Sequence, residues 1–273
     1  MLVGVPGRTF QCFPVLCHKT RLQVCVAPSF SLIRLYSPHS RPTLVPPLAP
    51  PSCPPPLAVA NLAAANNYKK EHYDTAAVQA AQAAAQVYYI AGFFLTVSPD
   101  TINAVGAHAA EQGKTFCLNL SAPFIIDFFT DALDQALYFT DFVFCNETEA
   151  ETYAVKKGLN KDDLLSVALA IAALPKASGK RARTVVFTQG SKSTIVACNG
   201  ATTEYPVTEL AQAELVDTNG AGDAMVGGFL SKLVLGEDVA ACVAAGHFAA
   251  REIIQVSGCA PHLCKDALTG YGQ

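Results

Sequence analysis

The sequence predicts an α/β fold, a mostly parallel sheet with helices on both faces. Short apolar blocks alternate with helical runs, and strand–helix alternation builds a parallel sheet. The blocks are apolar throughout rather than at every second position, as in strands covered on both faces. Polar residues gather just after these blocks, at Asn119-Leu120-Ser121, Asn146, Thr188-Gln189-Gly190 and Asp217 to Asp223. In open α/β sheets ligands bind at those carboxyl ends.

Each element has its own signal. An alanine-rich run from Asp74 to Ala85 reads as a helix, and VYYIAGFF (Val87 to Phe94) as a buried strand. Ser98-Pro99 opens a helix, with Ser as N-cap and Pro at the first helical position, and Gly113 ends it. TFCLNL (Thr115 to Leu120) is the next strand, and a helix follows Pro123. DFVFCN (Asp141 to Asn146) is a strand. The helix after it begins near Glu147, with acidic residues in the first turn where they complement the dipole, and closes at Gly158. A helix over Lys161 to Leu174, a strand over Arg183 to Gly190 and two short strands at Thr194 to Ala197 and Thr202 to Pro206 follow. Two helices finish the pattern, Gly222 to Leu235 and Val239 to Val256.

Composition bounds the function. The chain has 273 residues, is 51% hydrophobic and 15% charged, and carries a net charge of −3. That excludes global disorder and any nucleic-acid binding driven by net basicity. The cluster Lys176, Lys180, Arg181 and Arg183 reads as a solvated loop beside a strand. No apolar run reaches the roughly 18 residues of a membrane span, so no membrane partner is expected. Ten cysteines lack the density and spacing of a disulfide scaffold, and the six from Cys117 to Cys264, mostly in apolar surroundings, read as small buried thiols of an intracellular protein. Cys259 and Cys264 could pair or bind a metal, but no second pair stands at ligand spacing. The default compartment is the cytoplasm, with the nucleus as an alternative.

The averages hide a seam. Residues 1–59 hold 12 of the 17 prolines, four of the ten cysteines, five basic residues and no Asp or Glu. The remainder carries 14 basic against 22 acidic residues, a net of −8. The stretch PTLVPPLAPPSCPPP (Pro42 to Pro56) removes backbone donors and favours extended polyproline conformations. Residues 1–59 therefore read as a Pro-rich low-complexity segment, disordered or non-native. Their acid-free, arginine-containing character also matches a transit segment, although the frequent prolines and the lack of an obvious amphipathic helix oppose that. Residues 60–263 form the domain and 264–273 a tail.

The segment that carries chemistry is LVDTNGAGDAMVGGFL, Leu215 to Leu230. An apolar approach gives way to Asp217-Thr218-Asn219-Gly220-Ala221-Gly222-Asp223 and then to an apolar helix. Small residues at a helix start let an anion approach backbone N–H groups. A carboxylate beside a phosphate is electrostatically unfavourable unless it works there, and accepting a proton from an attacking hydroxyl is such work. The segment is neither a Walker A loop nor a dinucleotide-binding fingerprint. The plain alternative is a tight turn with Asp223 capping a helix.

DTNGAGD resembles the carboxy-terminal signature of the ribokinase-like (PfkB) carbohydrate and nucleoside kinases. The resemblance extends, in order, through ANLAAANNYKKEHY, YYIAGFFLTVSP, LNLSAPFI, CNETEAETYA, VVFTQG and AGHFAA, covering Ala60 to Pro261. It implies ATP-dependent phosphorylation of the 5′-hydroxyl of adenosine, giving AMP and ADP, with Mg²⁺. It implies Asp223 as catalytic base and Gly220, Ala221 and Gly222 as an anion hole. Asn146 and Glu149 match an NxxE motif that organises a magnesium–water network, with no direct protein ligand to the metal. Ser121, Asn146, Thr188, Gly190, Asn219 and His247 fall where the family contacts ATP. Leu62, Phe93 and Phe124 resemble the apolar walls around the adenine ring. Read from spacing alone, His247 is a satisfied helix histidine, NETE an acidic first turn, and Leu62, Phe93 and Phe124 core residues.

The resemblance also implies a fold truncated at its amino-terminal side. The family's amino-terminal half supplies the ribose grip and a lid, and ANLAAAN is preceded here by PPPLAV. Two expectations follow: a sheet lacking several strands on one side, exposed or covered by an unrelated segment, and weak or absent turnover. A catalytically dead nucleotide-binding remnant and a kinase for another nucleoside or a sugar are the alternatives. A monomer is expected when the fold is complete.

Overall fold

Side-chain alternation along the strands divides the interior into two cores. In the computed structural model, which describes residues 2–5, 8–12 and 65–257, β1 (Leu2–Val5), β2 (Arg8–Cys12), β3 (Val87–Ala91), β4 (Thr115–Asn119), β5 (Phe142–Asn146), β6 (Thr184–Gln189), β7 (Lys192–Cys198) and β8 (Ala201–Tyr205) form one sheet. Its order is β2-β1-β3-β4-β5-β6-β7-β8. Strands β3 to β6 are parallel, with Ala91 opposite Asn119, Asn119 opposite Phe144 and Asn146 opposite Thr188. Both margins are antiparallel: β6-β7-β8 on one side, β2-β1-β3 on the other.

One core gathers Tyr88, Ile90, Phe116, Leu118, Val143, Cys145, Val185 and Phe187 from the strands; the other takes their neighbours Val87, Tyr89, Cys117, Phe142, Phe144 and Val186. The period of two sends successive residues to opposite faces. Helices α1 (Lys70–Tyr73), α2 (Ala76–Ala84), α3 (Pro99–Gln112), α4 (Pro123–Phe128), α5 (Thr130–Phe139), α6 (Glu147–Lys157) and α7 (Leu164–Ala172) contribute to the first core. The second lies under α8 (Ala221–Leu233) and α9 (Val239–Ile254). Their crossing is close because Gly228 and Gly246 carry no side chain. A Cβ on Gly246 would lie 2.7 Å from the Met225 carbonyl, and one on Gly228 would collide with the Ala245 carbonyl.

Several predicted boundaries shift. The strand expected to reach Phe94 ends at Ala91, and Gly92–Thr96 is a 3-10 turn. The helix after Pro123 is two, broken at Phe129. The helix expected from Lys161 begins at Leu164, where Asp163 caps it by accepting from the Ser166 N–H at 3.1 Å. Gly113 and Gly158 end their helices as expected, both left-handed at φ 66° and 69°. Of residues 1–59, expected as a disordered or non-native segment, residues 2–5 and 8–12 form the β1–β2 hairpin, which pairs against β3 with Leu2 opposite Tyr89. The Pro42 to Pro56 stretch, Leu62, Cys259, Cys264 and the 264–273 tail lie outside the described residues.

The basic cluster does structural work. Arg183 is buried and donates five hydrogen bonds, to the carbonyls of Leu137 and Thr140 at the end of α5 and of Ile171, Leu174 and Pro175 at the end of α7. It thereby adds donors at two helix ends, where intrahelical donors run out, although the Leu137 and Ile171 carbonyls also accept from Thr140 and Leu174 N–H. Lys176 pairs with buried Asp141, and Arg181 donates to Thr115 and to the Gly113 carbonyl.

Candidate active site

The carboxyl ends of β3 to β6 and the amino-terminal end of α8 bring most of the predicted residues together. Gly92 and Phe93 follow β3, Ser121 follows β4, Asn146 ends β5, and Thr188 and Gly190 lie at the end of β6. On the other face, Met225 and Val226 of α8 share a core with Tyr89 of β3, and the Asp223 charge acts on the Tyr89 phenol, so the first turn of α8 lies by that strand.

The loop into α8 is built to leave its first turn bare. Asp217 accepts from the Asn219 N–H at 2.9 Å, folding the chain into an Asx turn. Gly220 then caps the helix in the left-handed region at φ 82°, where glycine is favoured, and no side chain caps the helix. The Ala221 N–H is occupied by the Thr218 carbonyl at 3.2 Å. Of the predicted anion hole, the Gly222 amide, with that of Asp223, is therefore left at the open end. A Cβ on Gly222 would meet nothing within 4 Å. Neither packing nor backbone strain calls for glycine there, so the open space suits an approaching anion.

Asp223 occupies the third helical position. It is exposed and makes no hydrogen bond or ion pair with a described residue, yet the protein crowded around it pushes its carboxyl above the ordinary range. A raised carboxyl is a stronger base than a free one, which suits proton abstraction. Tyr89, which the sequence did not single out as functional, points its side chain into the α8 core. Burial and then the Asp223 charge raise its phenol, against the lowering effect of Asn119.

The first turn of α6 is the reverse. Asn146 caps it by accepting from the Glu149 N–H at 2.9 Å, and Glu149 accepts from the Asn146 N–H at 3.1 Å and from its side-chain amide at 2.9 Å. Glu149 is 4% exposed, and desolvation raises its carboxyl to about 7 against the lowering effect of Asn146. The acidic first turn is thus a complete capping box, with both carboxylate oxygens engaged.

The other candidates divide. Phe93 and Phe124 meet, ring centroids 5.9 Å apart and planes at 45°, with Phe124 39% exposed. His247 holds Thr194 Oγ1 through Nε2 at 2.8 Å, and burial lowers its imidazole. It follows Gly246 at the crossing with α8, so it stands beside the second turn of that helix. Thr188 Oγ1 donates weakly to the Cys145 carbonyl at 3.4 Å, while Gly190 takes φ 57° in the turn between β6 and β7.

The strand ends thus lie near a bare helix terminus that bears a carboxylate, an arrangement whose open amides suit an anionic ligand. Residues 56–265 match the family model described as pfkB family carbohydrate kinase, and the chain belongs to that family. Among its curated relatives, Adenosine kinase 1 of Arabidopsis thaliana is 51% identical over 201 residues, 74% of this chain and 58% of that protein. The adenosine kinase of Dictyostelium discoideum is 46% identical over 73% of this chain and 58% of its own length. A solved structure of Anopheles gambiae adenosine kinase with P1,P4-di(adenosine-5) tetraphosphate superposes with a TM-score of 0.72 at 44% identity, covering 74% of this chain and 60% of that one. The chain thus spans under three fifths of the length of these curated relatives.

Proposed function

We propose that this chain carries the phosphoryl-transfer apparatus of an enzyme that phosphorylates the 5′-hydroxyl of adenosine with ATP. The observation that carries the reading is Asp223, a carboxylate without a hydrogen-bond or ion-pair partner among the described residues, at the third position of a helix whose N-cap makes no side-chain hydrogen bond. The carboxylate takes the proton of the 5′-hydroxyl as that oxygen bonds to the γ-phosphorus. The bond from the γ-phosphorus to the β–γ bridging oxygen breaks, leaving AMP and ADP. Charge on the transferred group is met by the amides at the mouth of α8, a preorganised arrangement typically worth about 3 kcal/mol per donor. Phe93 and Phe124 form the apolar walls for the base, with Leu62 a further wall residue by resemblance. Asn219, Thr188, Gly190 and His247 border the nucleotide. Relatives whose printed names describe adenosine kinases support the substrate.

The donor set suits a magnesium ion carried by phosphates and water. Among the described residues no group of three His, Cys, Asp or Glu could hold a metal, and the Glu149 oxygens already accept from Asn146. Asn146 and Glu149 would anchor water in the ion's shell, as Mg²⁺ prefers. Bound with ATP, the ion would neutralise charge at the β- and γ-phosphates.

Among the described residues no helix is long and apolar enough to cross a membrane, and Cys117, Cys145, Cys198 and Cys242 are free thiols. Free thiols suit a reducing compartment, and we place the protein in the cytoplasm.

The test is adenosine-dependent ADP formation by the chain, alongside calorimetric titration with ATP. Turnover abolished by Asp223→Asn supports the reading. ATP binding without turnover favours the nucleotide-binding remnant, a reading motivated by the 58% span of the relatives.

A further inference from the structure

The loop after β4 holds a non-glycine residue in the left-handed region. Ser121 has φ 70°; among the described residues the other is Asn199, at φ 51° in the turn between β7 and β8. Asparagine tolerates that conformation better than serine does, so Ser121 must be held there by its surroundings. Its N–H donates to Asn119 Oδ1 at 2.9 Å. Its hydroxyl donates to the Asn119 carbonyl at 3.3 Å and accepts the Gly92 N–H at 2.8 Å. The single hydroxyl proton is therefore committed, along with one lone pair.

The partner is as constrained as Ser121. A Cβ on Gly92 would stand 2.6 Å from the carbonyl oxygens of both Asn119 and Leu120. Two backbones are thus pressed together, and the Ser121 hydroxyl joins them. Immediately after Gly92 comes Phe93, and three residues after Ser121 comes Phe124, whose rings meet with centroids 5.9 Å apart and planes tilted by 45°. Pro123 begins α4, which leaves the chain between Ser121 and Phe124 little freedom.

We propose that Ser121 is a positioning residue that fixes the gap between Phe93 and Phe124, and through it the affinity for a planar base, rather than a contact to ATP. The inference rests on the reading of those two rings as the base walls.

The test uses the full chain with 4-fluorophenylalanine at position 93, as Ser121, Ser121→Ala and Ser121→Gly. Glycine relieves the left-handed strain while also lacking the hydroxyl, so a folding defect cannot explain an effect shared by both variants. The fluorine resonance of the ligand-free chain is expected to shift or broaden in both. Adenosine affinity by calorimetry falls roughly tenfold or more, as misplaced binding groups typically produce, while ATP affinity stays within about twofold. An unchanged fluorine signal overturns the proposal, as does a loss of ATP affinity with adenosine affinity intact. If the unsubstituted chain binds no adenosine, the proposed substrate fails, while the fluorine signal still decides whether Ser121 sets the gap.

Discussion

Helices α6 and α8 both begin at the carboxyl end of the sheet, and each carries a carboxylate at its third position. On α6, Glu149 folds back onto its N-cap Asn146 and is buried; on α8, the N-cap is Gly220, and Asp223 stays exposed with nothing to fold back onto. A capped terminus has spent its donors on its own chain, whereas a bare one keeps donors and partial positive charge for a ligand. The difference teaches that an acidic first turn says little by itself; the cap residue decides whether the carboxylate is structural or available.

Breaking the open terminus should have the largest effect. Asp223→Asn is expected to lower turnover about 10²- to 10⁴-fold, the usual contribution of a general base. Because the residue is exposed, stability in urea should stay within about 0.5 kcal/mol of the parent. Loss of turnover matched by loss of folding would place Asp223 with the structural carboxylates.

At the closed terminus the expected effect is on pH. Folding raises the Glu149 carboxyl to about 7, so the native state holds the proton more tightly than the unfolded chain. Stability should therefore fall as pH rises from about 4.5 to about 7, by up to about 3 kcal/mol. Glu149→Gln should flatten that slope, read from urea midpoints at pH 5 and pH 8. An unaltered slope would mean that the burial of Glu149 is not what couples folding to protons.

Two smaller effects sharpen the contrast. Asn146→Ala removes a cap and should cost about 1 kcal/mol of stability. Gly222→Ala should do the opposite. Alanine in the first helical turn has room and better helix propensity, for a gain of about 0.5–1 kcal/mol, while its methyl group fills the space before the open amides. Calorimetry should then show weaker ATP binding by a more stable protein. Unchanged ATP affinity would show that the space before Gly222 is not where phosphate sits.

Much of the fold could be read from local patterns because local forces decide it. Gly113 and Gly158 end helices because a left-handed residue there favours glycine, and Asn146 starts one because its side chain reaches a bare amide three residues on. The strand after Gln86 was read too long because nothing in VYYIAGFF reveals that Gly92 is pressed under the carbonyls of Asn119 and Leu120. The break at Phe129 was equally hidden, since the sequence there has no glycine or proline. The β1–β2 hairpin leaves little trace in the sequence, because its two short β-forming runs stand in an acid-free, proline-rich composition.

For the site, the chain order DTNGAGD determined by itself a bare helix start bearing a carboxylate, since small residues and a left-handed glycine cap are local properties of the backbone. Tertiary structure alone decided that Phe93 meets Phe124, that Tyr89 lies under the same turn as Asp223, and that Ser121 spends its hydroxyl on Gly92. Those facts join residues on different strands, and such a meeting depends on sheet register and packing, which no local stretch of sequence encodes.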